Sequence, residues 1–379
     1  MKKSENLANK IEALPLWVIF IIAAALYLPL TFLGYGSDSD ARAVVRTGEY
    51  FIATFDYVPS RLPGFFVHEV FSYFLNIVGG SLLTNLGTVG MTLLMLASFY
   101  RLSVSLVIPR PMLLTLLLAL HPIVWVNASS TIDYLWALGF AFFGFNRLFT
   151  GKYFSAVILL ALAIGCRLST LLLVGFFNIF MFFKVGTERN KLVLAAFSTL
   201  VLAFIFFIPP LDFLEWDLSR WLVLSTGDPE YWTPLLRIGR FAYKNIMFWG
   251  LPAAVWLMIM TVVVSITRQK RQAGSMDAIT WLSIAVLCAY ELLFLFAPIE
   301  LEYLLPLLPF TLILLSRFFH HKPNFLLVLL VLVFLANFLW INPARSTSPN
   351  QTSDVIYGLW LEKGYLLQDV TTRLVLFTP

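Results

Sequence analysis

Long apolar runs are the feature of this chain that most restricts its fold. A membrane-crossing helix needs roughly 20 apolar residues, and nine runs approach or reach that length. Hydrophobic residues make up 60% of the 379 positions and charged residues only 12%, which is far from the composition of a soluble domain. The sequence therefore predicts an all-α polytopic membrane protein. The nine runs are residues 16–34, 82–100, 111–127, 134–149, 192–209, 245–266, 278–297, 303–318 and 324–341.

Two further apolar segments decide the number of spans. Residues 153–183 are too long for one span, and residues 65–80 carry polar side chains. We interpret the first segment as two short helices broken at Arg167 and the second as a surface helix that does not cross. This gives about eleven transmembrane helices and a cytoplasmic N-terminus. The short outer loops near Asp133 and Glu300 then hold no Lys or Arg, as the positive-inside rule requires.

The remaining composition agrees with a multi-pass protein of the cell (inner) membrane. The net charge of +5 comes from basic residues at helix ends, so topology explains it and no nucleic-acid partner is expected. The first apolar run is too long for a signal-peptide core and is predicted to be an uncleaved span. Cys166 and Cys288 lie inside apolar runs and do not indicate a disulfide framework.

Acidic residues are distributed unevenly across this predicted topology. Only four face the cytoplasm, and the other 17 of 21 lie outside or in the outer halves of spans. Asp and Glu contribute little to topology, so the bias needs another cause. A chemical site on the extracytoplasmic face is the simplest one. The four cytoplasmic acids are Glu5, Glu12, Glu188 and Asp277.

The first outer loop, residues 35–81, holds most of the candidate site residues. Asp38 and Asp40 precede a helical run, so they either cap that helix or act as a general base or metal ligand. Arg61 is a candidate phosphate ligand. His68 and Glu69 are candidate substrate-binding residues, and their alternative is the solvated end of an interfacial helix.

Two further charged residues are predicted to lie near the same face. Asp133 begins a span and is either a helix cap or part of the site. Arg167 lies between two apolar runs, and an arginine at such a depth is usually paired or faces a ligand. An anionic lipid headgroup is a natural partner for it.

The rest of the chain indicates domain boundaries and contributes few candidate site residues. Residues 1–341 are predicted to form one transmembrane catalytic domain and residues 342–379 a short extracytoplasmic tail packed on the outer face. The outer loop 210–244 is rich in Trp and Tyr, which suits helices lying on a membrane surface. There is no internal repeat, and no zinc spacing, P-loop, GxGxxG or GxSxG motif.

Together these residues resemble the GT-C superfamily of membrane glycosyltransferases, with its protein O-mannosyltransferases, aminoarabinose transferases and RgtA/B/C/D-like domains. The resemblance covers about residues 16–341 and is a pattern more than a tight signature. It is carried by Asp38 or Asp40 after the first helix, the segment SRLPGFFVHE, Asp133 at the fourth span, Arg167-Leu168-Ser169, and the late span EYLLPLLPFTLILL with Tyr303, Pro306 and Pro309. The chain departs from it where Glu300 and Glu302 stand before the late Tyr, at a place where many members have Arg, and where Pro-Gly replaces Pro-Pro in the first loop.

The resemblance implies a fold and a reaction. The fold is a GT-C-type bundle with juxtamembrane helices in the first extracytoplasmic loop. The reaction is inverting transfer of a sugar from a polyprenyl-phosphate donor to a hydroxyl of a lipid, glycan or protein acceptor. Asp38 or Asp40 would be the base, Arg167 would stabilise the leaving phosphate, and Asp133 and Glu69 would orient the acceptor or the sugar. Tyr303 would contribute to substrate binding.

Two questions stay open at the level of sequence. Paired acids are able to bind a divalent cation, but activation of a neutral hydroxyl needs none, so no cofactor is assigned. A transporter or flippase of a lipid-linked sugar or lipid is the rival class. Such a protein usually has polar residues at mid-membrane on broken helices, often in repeated halves.

Overall fold

The computed structural model describes residues 2–186, 188–220, 233–269, 277–319, 322–346 and 355–377. Within these residues the regular elements are helices, joined by loops and turns, apart from two antiparallel strands in the tail. Short 3-10 helices at Leu28–Phe32 and Leu301–Leu304 join longer elements. The α-helices are α1 (Lys2–Glu12), α2 (Leu16–Tyr27), α3 (Ser39–Thr54), α4 (Phe66–Ser105), α5 (Pro111–Leu120), α6 (Pro122–Ala128), α7 (Tyr134–Phe149), α8 (Tyr153–Cys166), α9 (Thr170–Lys184), α10 (Arg189–Phe213), α11 (Pro234–Trp249), α12 (Leu251–Gln269), α13 (Ala278–Phe296), α14 (Leu307–Phe319), α15 (Asn324–Ala336) and α16 (Tyr365–Phe377).

The two segments that decided the predicted topology are both interrupted helices. The predicted break at Arg167 is confirmed, because α8 ends at Cys166 and α9 begins at Thr170. α4 is interrupted at Gly79 and Gly80, whose φ angles of −154° and 57° are not helical. The segment that was predicted to lie on the surface is therefore divided from the following apolar helix where the sequence places the boundary.

Two predicted span boundaries are wrong. The run 245–266 is two helices, α11 and α12, which meet at Gly250 with a bend of 97°. Pro234 suits the first turn of α11 and Thr233 caps it, so the helix begins well before the apolar run. Residues 221–232 of the predicted outer loop 210–244 lie outside the described residues.

The run 324–341 is also not a single helix, because α15 ends at Ala336. The side-chain amide of the next residue, Asn337, donates to the carbonyls of Val333 and Phe334 in the last turn of α15 and to the carbonyl of Leu120 in α5 at 3.1 Å. The chain then forms strands β1 (Leu339–Ser346) and β2 (Val355–Lys363), which pair antiparallel with Leu339 opposite Lys363. This hairpin is the exception to the predicted all-α class.

The helices have the apolar character of a membrane protein. Among the described residues, α4, α10 and α13 are long and apolar enough to cross a membrane. The number rises to five if each bent pair, α5–α6 and α11–α12, counts as one span. α8, α9, α14, α15 and residues 16–32 are apolar but shorter. The arrangement of eleven spans in a GT-C bundle stays a prediction.

Helix lengths bring the distant charged residues to one end of the bundle. α7 is at the centre of the core, and its Phe145 stacks on Phe177 of α9 at 4.0 Å. α7 has 16 residues and α8 has 14, so α8 returns over about 21 of the roughly 24 Å that α7 descends. Arg167 at the end of α8 therefore lies level with Asp133 at the start of α7.

Candidate active site

The first loop enters the site along a fixed path. The side-chain amide of Asn85 donates to the carbonyl of Gly34 at 2.5 Å, and the backbone N–H of Thr131 donates to the carbonyl of Tyr35 at 2.7 Å. Gly36 follows with a φ of +141°, and a Cβ placed there would lie 3.2 Å from the Cβ of Ser130. Glycine is needed at this point because the backbone has a conformation that other residues rarely adopt.

Asp38 caps α3. Its carboxylate accepts a hydrogen bond from the backbone N–H of Asp40 at 2.9 Å, and its backbone is extended, as is usual at an N-cap. The capping alternative is therefore correct for Asp38, but this bond occupies only one carboxylate oxygen. No Lys or Arg within the described residues forms an ion pair with Asp38.

Asp40 belongs instead to a chain of ion pairs with three other charged side chains. The guanidinium of Arg61 binds the carboxylates of both Asp40 and Asp133. Arg167 donates to the other oxygen of Asp133 at 2.7 Å. The side chain of Asp133 is 0% exposed and those of Arg61 and Arg167 are 17% and 11% exposed. This set, Asp40, Arg61, Asp133 and Arg167, is called the ionic network below.

The charges of the ionic network stabilise one another. Burial alone would raise the pKa of Asp133, but the guanidinium groups of Arg61 and Arg167 outweigh it and lower the pKa below its usual value. Aromatic rings complete the enclosure. The guanidinium of Arg167 lies 3.7 Å from the ring centre of Tyr134 and 5.0 Å from that of Tyr303, distances at which cation–π attraction is effective.

A cavity of about 310 Å³ opens beside the ionic network. Its polar lining comes from the first loop, α6, the turn before α7, α11, the segment 299–302 and α16. Tyr134 connects the two features, because its hydroxyl donates to Glu300 and its ring covers Arg167. The polar residues of the lining are Ser37, Asp38, Asn127, Ser130, Lys244, Glu300, Glu302 and Tyr365.

The cavity combines acids with a lysine. Burial raises the pKa of Asp38, and the nearby carboxylates of Asp40 and Glu302 add to the rise. Burial also raises the pKa of Glu300, although the hydroxyl of Tyr134 opposes it. A carboxylate with a raised pKa is a stronger base. Carboxylates also accept hydrogen bonds from the hydroxyls of a sugar, so the lining suits a polyhydroxylated ligand.

Glu69 is placed to hold the loop that carries Arg61. Its side chain is 1% exposed and accepts hydrogen bonds from the hydroxyl of Tyr57 and from Ser60, through the backbone N–H at 2.9 Å and the hydroxyl at 2.5 Å. His68 is wholly buried, with Nε2 3.1 Å from the hydroxyl of Ser72 and its ring against Trp136. Both residues were predicted to bind substrate. Their contacts are internal.

The sequence-predicted site residues thus divide into two neighbouring groups. The first group is the ionic network with the ring beside it, and it contains Asp40, Arg61, Asp133, Arg167 and Tyr303. The second group is the cavity wall, which contains Asp38. Among the described residues no group of three or more metal-binding side chains is arranged around a shared point. Tyr365 was missed, because its only sequence signal is its place in an amphipathic tail.

Comparisons with protein-family models, with curated proteins and with solved structures find no match to this chain.

Proposed function

We propose that this protein is a membrane glycosyltransferase that moves a sugar from a polyprenyl-phosphate donor to an acceptor hydroxyl, with inversion at the anomeric carbon. The observation that carries the proposal is the position of Asp38, which lies on the wall of a polar cavity together with Lys244 and two glutamates. The cavity adjoins the ionic network at the end of an apolar helical bundle. A lipid-linked sugar needs this combination of a polar pocket and an apolar flank.

Asp38 is the proposed base. It accepts the proton of the acceptor hydroxyl as that oxygen forms a bond to the anomeric carbon, and the bond from this carbon to the phosphate oxygen breaks. The products are the glycosylated acceptor and the polyprenyl phosphate. The raised pKa of Asp38 suits this role. Asp40 is the weaker candidate because Arg61 already binds its carboxylate.

Lys244 is the proposed contact for the leaving phosphate. It is the cation on the cavity wall, and a phosphate develops charge as its bond to the sugar breaks. Arg167 is a positioning residue in this proposal, because Asp133 already neutralises it and aromatic rings enclose it. Glu300 and Glu302 would accept hydrogen bonds from sugar or acceptor hydroxyls.

The proposed orientation places the cavity on the extracytoplasmic side of the inner membrane. It is supported by the outward bias of the acids and by the basic residues of the opposite loops. It is also supported by contacts at the far end of the bundle. There Glu12 accepts from the backbone N–H of Leu113 at 3.0 Å, and Asp277 pairs with Arg317. Glu12 and Asp277 were both predicted to be cytoplasmic.

A transporter or flippase is the second candidate, and one observation favours it. The bent pairs α5–α6 and α11–α12 meet where the buried ring of His121 lies 4.6 Å from that of Phe248. Broken helices in contact are typical of alternating-access proteins. The charged groups nevertheless gather at one end of the bundle, which favours the transferase.

The two candidates predict different products. The full-length protein would be reconstituted in liposomes with tritiated polyprenyl-phosphate mannose or polyprenyl-phosphate glucose and a membrane-lipid extract. A transferase moves the label from the donor to a new acceptor. The substitution Lys244→Ala should reduce this transfer more than the substitution Lys244→Arg, which keeps the positive charge. A flippase moves the intact donor between leaflets. The proposal would be contradicted if the sugar were transferred from neither donor.

A further inference from the structure

The tail helix α16 presents three polar residues along one face. Tyr365, Asp369 and Arg373 are spaced four residues apart, and residues at i and i+4 lie one above the other on a helix. Asp369 is 5% exposed and Arg373 0%, whereas Gln368, Thr371 and Thr372 of the same helix are exposed. Each of the three contacts a different part of the cavity wall.

Tyr365 reaches the segment that carries the two glutamates. Its hydroxyl donates to Glu302 at 2.7 Å, and both residues line the cavity. The ring of Tyr365 also packs on Trp340 of β1, with the ring centres 5.6 Å apart, so β1 supports the position of the ring.

Asp369 reaches the first loop. It accepts a hydrogen bond from the hydroxyl of Ser37 at 2.5 Å, across 332 residues of sequence. Ser37 is the residue before Asp38 and lines the cavity with it. This bond therefore anchors the residue next to the proposed base to α16.

Arg373 reaches the turn between α6 and α7. It donates to the hydroxyl of Ser130 at 2.6 Å and to the carbonyl of Ser129 at 2.9 Å. Its Nε lies 2.8 Å from the carboxylate of Asp369. The two groups form an ion pair, although the N–H does not point at the oxygen closely enough for a hydrogen bond. Ser130 lines the cavity, and Asp133 of the ionic network follows in the same turn.

The start of α16 is fixed as closely as its polar face. A Cβ at Gly364 would collide with backbone atoms of Asn337 and Phe338, so only glycine permits this approach to the end of α15. The N–H of Gly364 donates to the carbonyl of Phe338 at 2.9 Å. The N-terminus of α16 is therefore held in one position, and this places Tyr365, Asp369 and Arg373 against the cavity wall.

From these contacts we infer that α16 is a clamp that completes the cavity, with Tyr365, Asp369 and Arg373 as positioning residues. The clamp joins the first loop, the turn before α7 and the segment 299–302, three parts of the wall that come from distant parts of the chain. It depends on the proposed function only in taking this cavity as the substrate site. Residues 365–373 then belong to the active unit together with residues 1–341.

Thiol labelling of the cavity tests the clamp without any sugar transfer. Ile299 lines the cavity and is not one of the clamp contacts, so the substitution Ile299→Cys supplies a reporter thiol. The parent protein also carries Cys288→Ser and keeps Cys166, which is wholly buried and reports general loosening. The full-length protein in detergent is labelled with a charged, membrane-impermeant maleimide, and labelling at each thiol is quantified by mass spectrometry.

Single-contact variants give the decisive comparison. Ser37→Ala and Tyr365→Phe each remove one clamp hydrogen bond, and each should raise the labelling rate of the reporter thiol roughly fivefold, the factor expected for loss of one such bond. Ser37→Thr keeps the hydroxyl and should label like the parent. Thr372→Ala is the matched control, because that exposed hydroxyl bonds only within α16.

Two results would overturn the clamp. One is an unchanged labelling rate of the reporter thiol in both Ser37→Ala and Tyr365→Phe. The other is a parallel rise at Cys166, which would show general loosening of the protein. Since labelling is measured without donor or acceptor, a protein with an intact clamp but no transferase activity would refute only the proposed function.

Discussion

Arg167 donates a hydrogen bond of 2.7 Å to Asp133, and the two residues lie at the same end of an antiparallel helix pair, Asp133 before α7 and Arg167 after α8. The break between α8 and α9 exists at the depth where this contact forms. An arginine in an apolar environment needs such a partner, because an unpaired buried charge is costly. Asp133 receives a second guanidinium from Arg61 and so becomes the centre of the ionic network.

Removal of the central acid should unfold the site. Asp133→Asn leaves Arg61 and Arg167 without their shared counter-charge, and breaking a buried pair costs roughly 3–5 kcal/mol of unfolding free energy. Thermal unfolding in detergent should show a clearly lower midpoint. Asp277→Asn is the control, because it breaks a more exposed pair with Arg317 and should cost about 1 kcal/mol or less. Equal effects in the two variants would contradict the structural importance of the ionic network.

Glu69 should act through the loop that carries Arg61. Glu69→Gln weakens the hold on Tyr57 and Ser60, which frees the chain before Arg61. Limited trypsin digestion should then cut after Arg61 faster than in the parent. Glu49→Gln, an exposed change on α3, should leave the rate unaltered. If Glu69 instead only contacts substrate, trypsin sensitivity will not change.

The acid limb of the pH–rate profile should depend on Glu302. Asp38 must be ionised to accept a proton, so the rate falls as pH decreases through its pKa, which lies above the usual value of 3.8. Glu302 contributes to that rise, and Glu302→Gln removes its negative charge. The acid limb should therefore move to lower pH in this variant. Glu49→Gln should leave it in place, and an unmoved limb in Glu302→Gln would contradict the coupling.

Gly36 should be intolerant of a side chain. Gly36→Ala places a Cβ against Ser130 at a φ of +141°, and such backbone strain costs on the order of 1–3 kcal/mol. Gly90→Ala is the matched control, because nothing lies within 4 Å of its added Cβ and helix propensity favours alanine. The first variant should lower the unfolding midpoint and the second should preserve or raise it. The reverse order would show that the path of the first loop is not constrained.

Much of the fold could be predicted from hydrophobic pattern. The bounds of α7 and the break at Arg167 followed from apolar length and from the cost of a charge in an apolar run. The end of α15 could not be predicted in this way. Residues 338–341 continue the apolar run, yet the helix ends at Ala336, and the Asn337 amide beside this end donates to Val333 and Phe334 of α15 and to Leu120 of α5.

The site was less predictable, because its partners are distant in sequence. The first loop offered Arg42, Arg46 and Arg61 as cations, and only the folded chain brings Arg61 between Asp40 and Asp133. Asp38 and Asp40 also appeared equivalent in the sequence. In the structure Asp38 caps α3, whereas Asp40 forms an ion pair with Arg61. No local pattern indicated that Asp369 would reach Ser37.

The most direct test of the central claim is the rate of sugar transfer by Asp38→Asn. Asparagine keeps an acceptor oxygen for the helix cap but cannot take a proton. The variant should fold like the parent, as judged by its unfolding midpoint, and its transfer from a polyprenyl-phosphate sugar should fall by about 10²-fold or more. Transfer at the parental rate by the folded variant would contradict the assignment of Asp38 as the base.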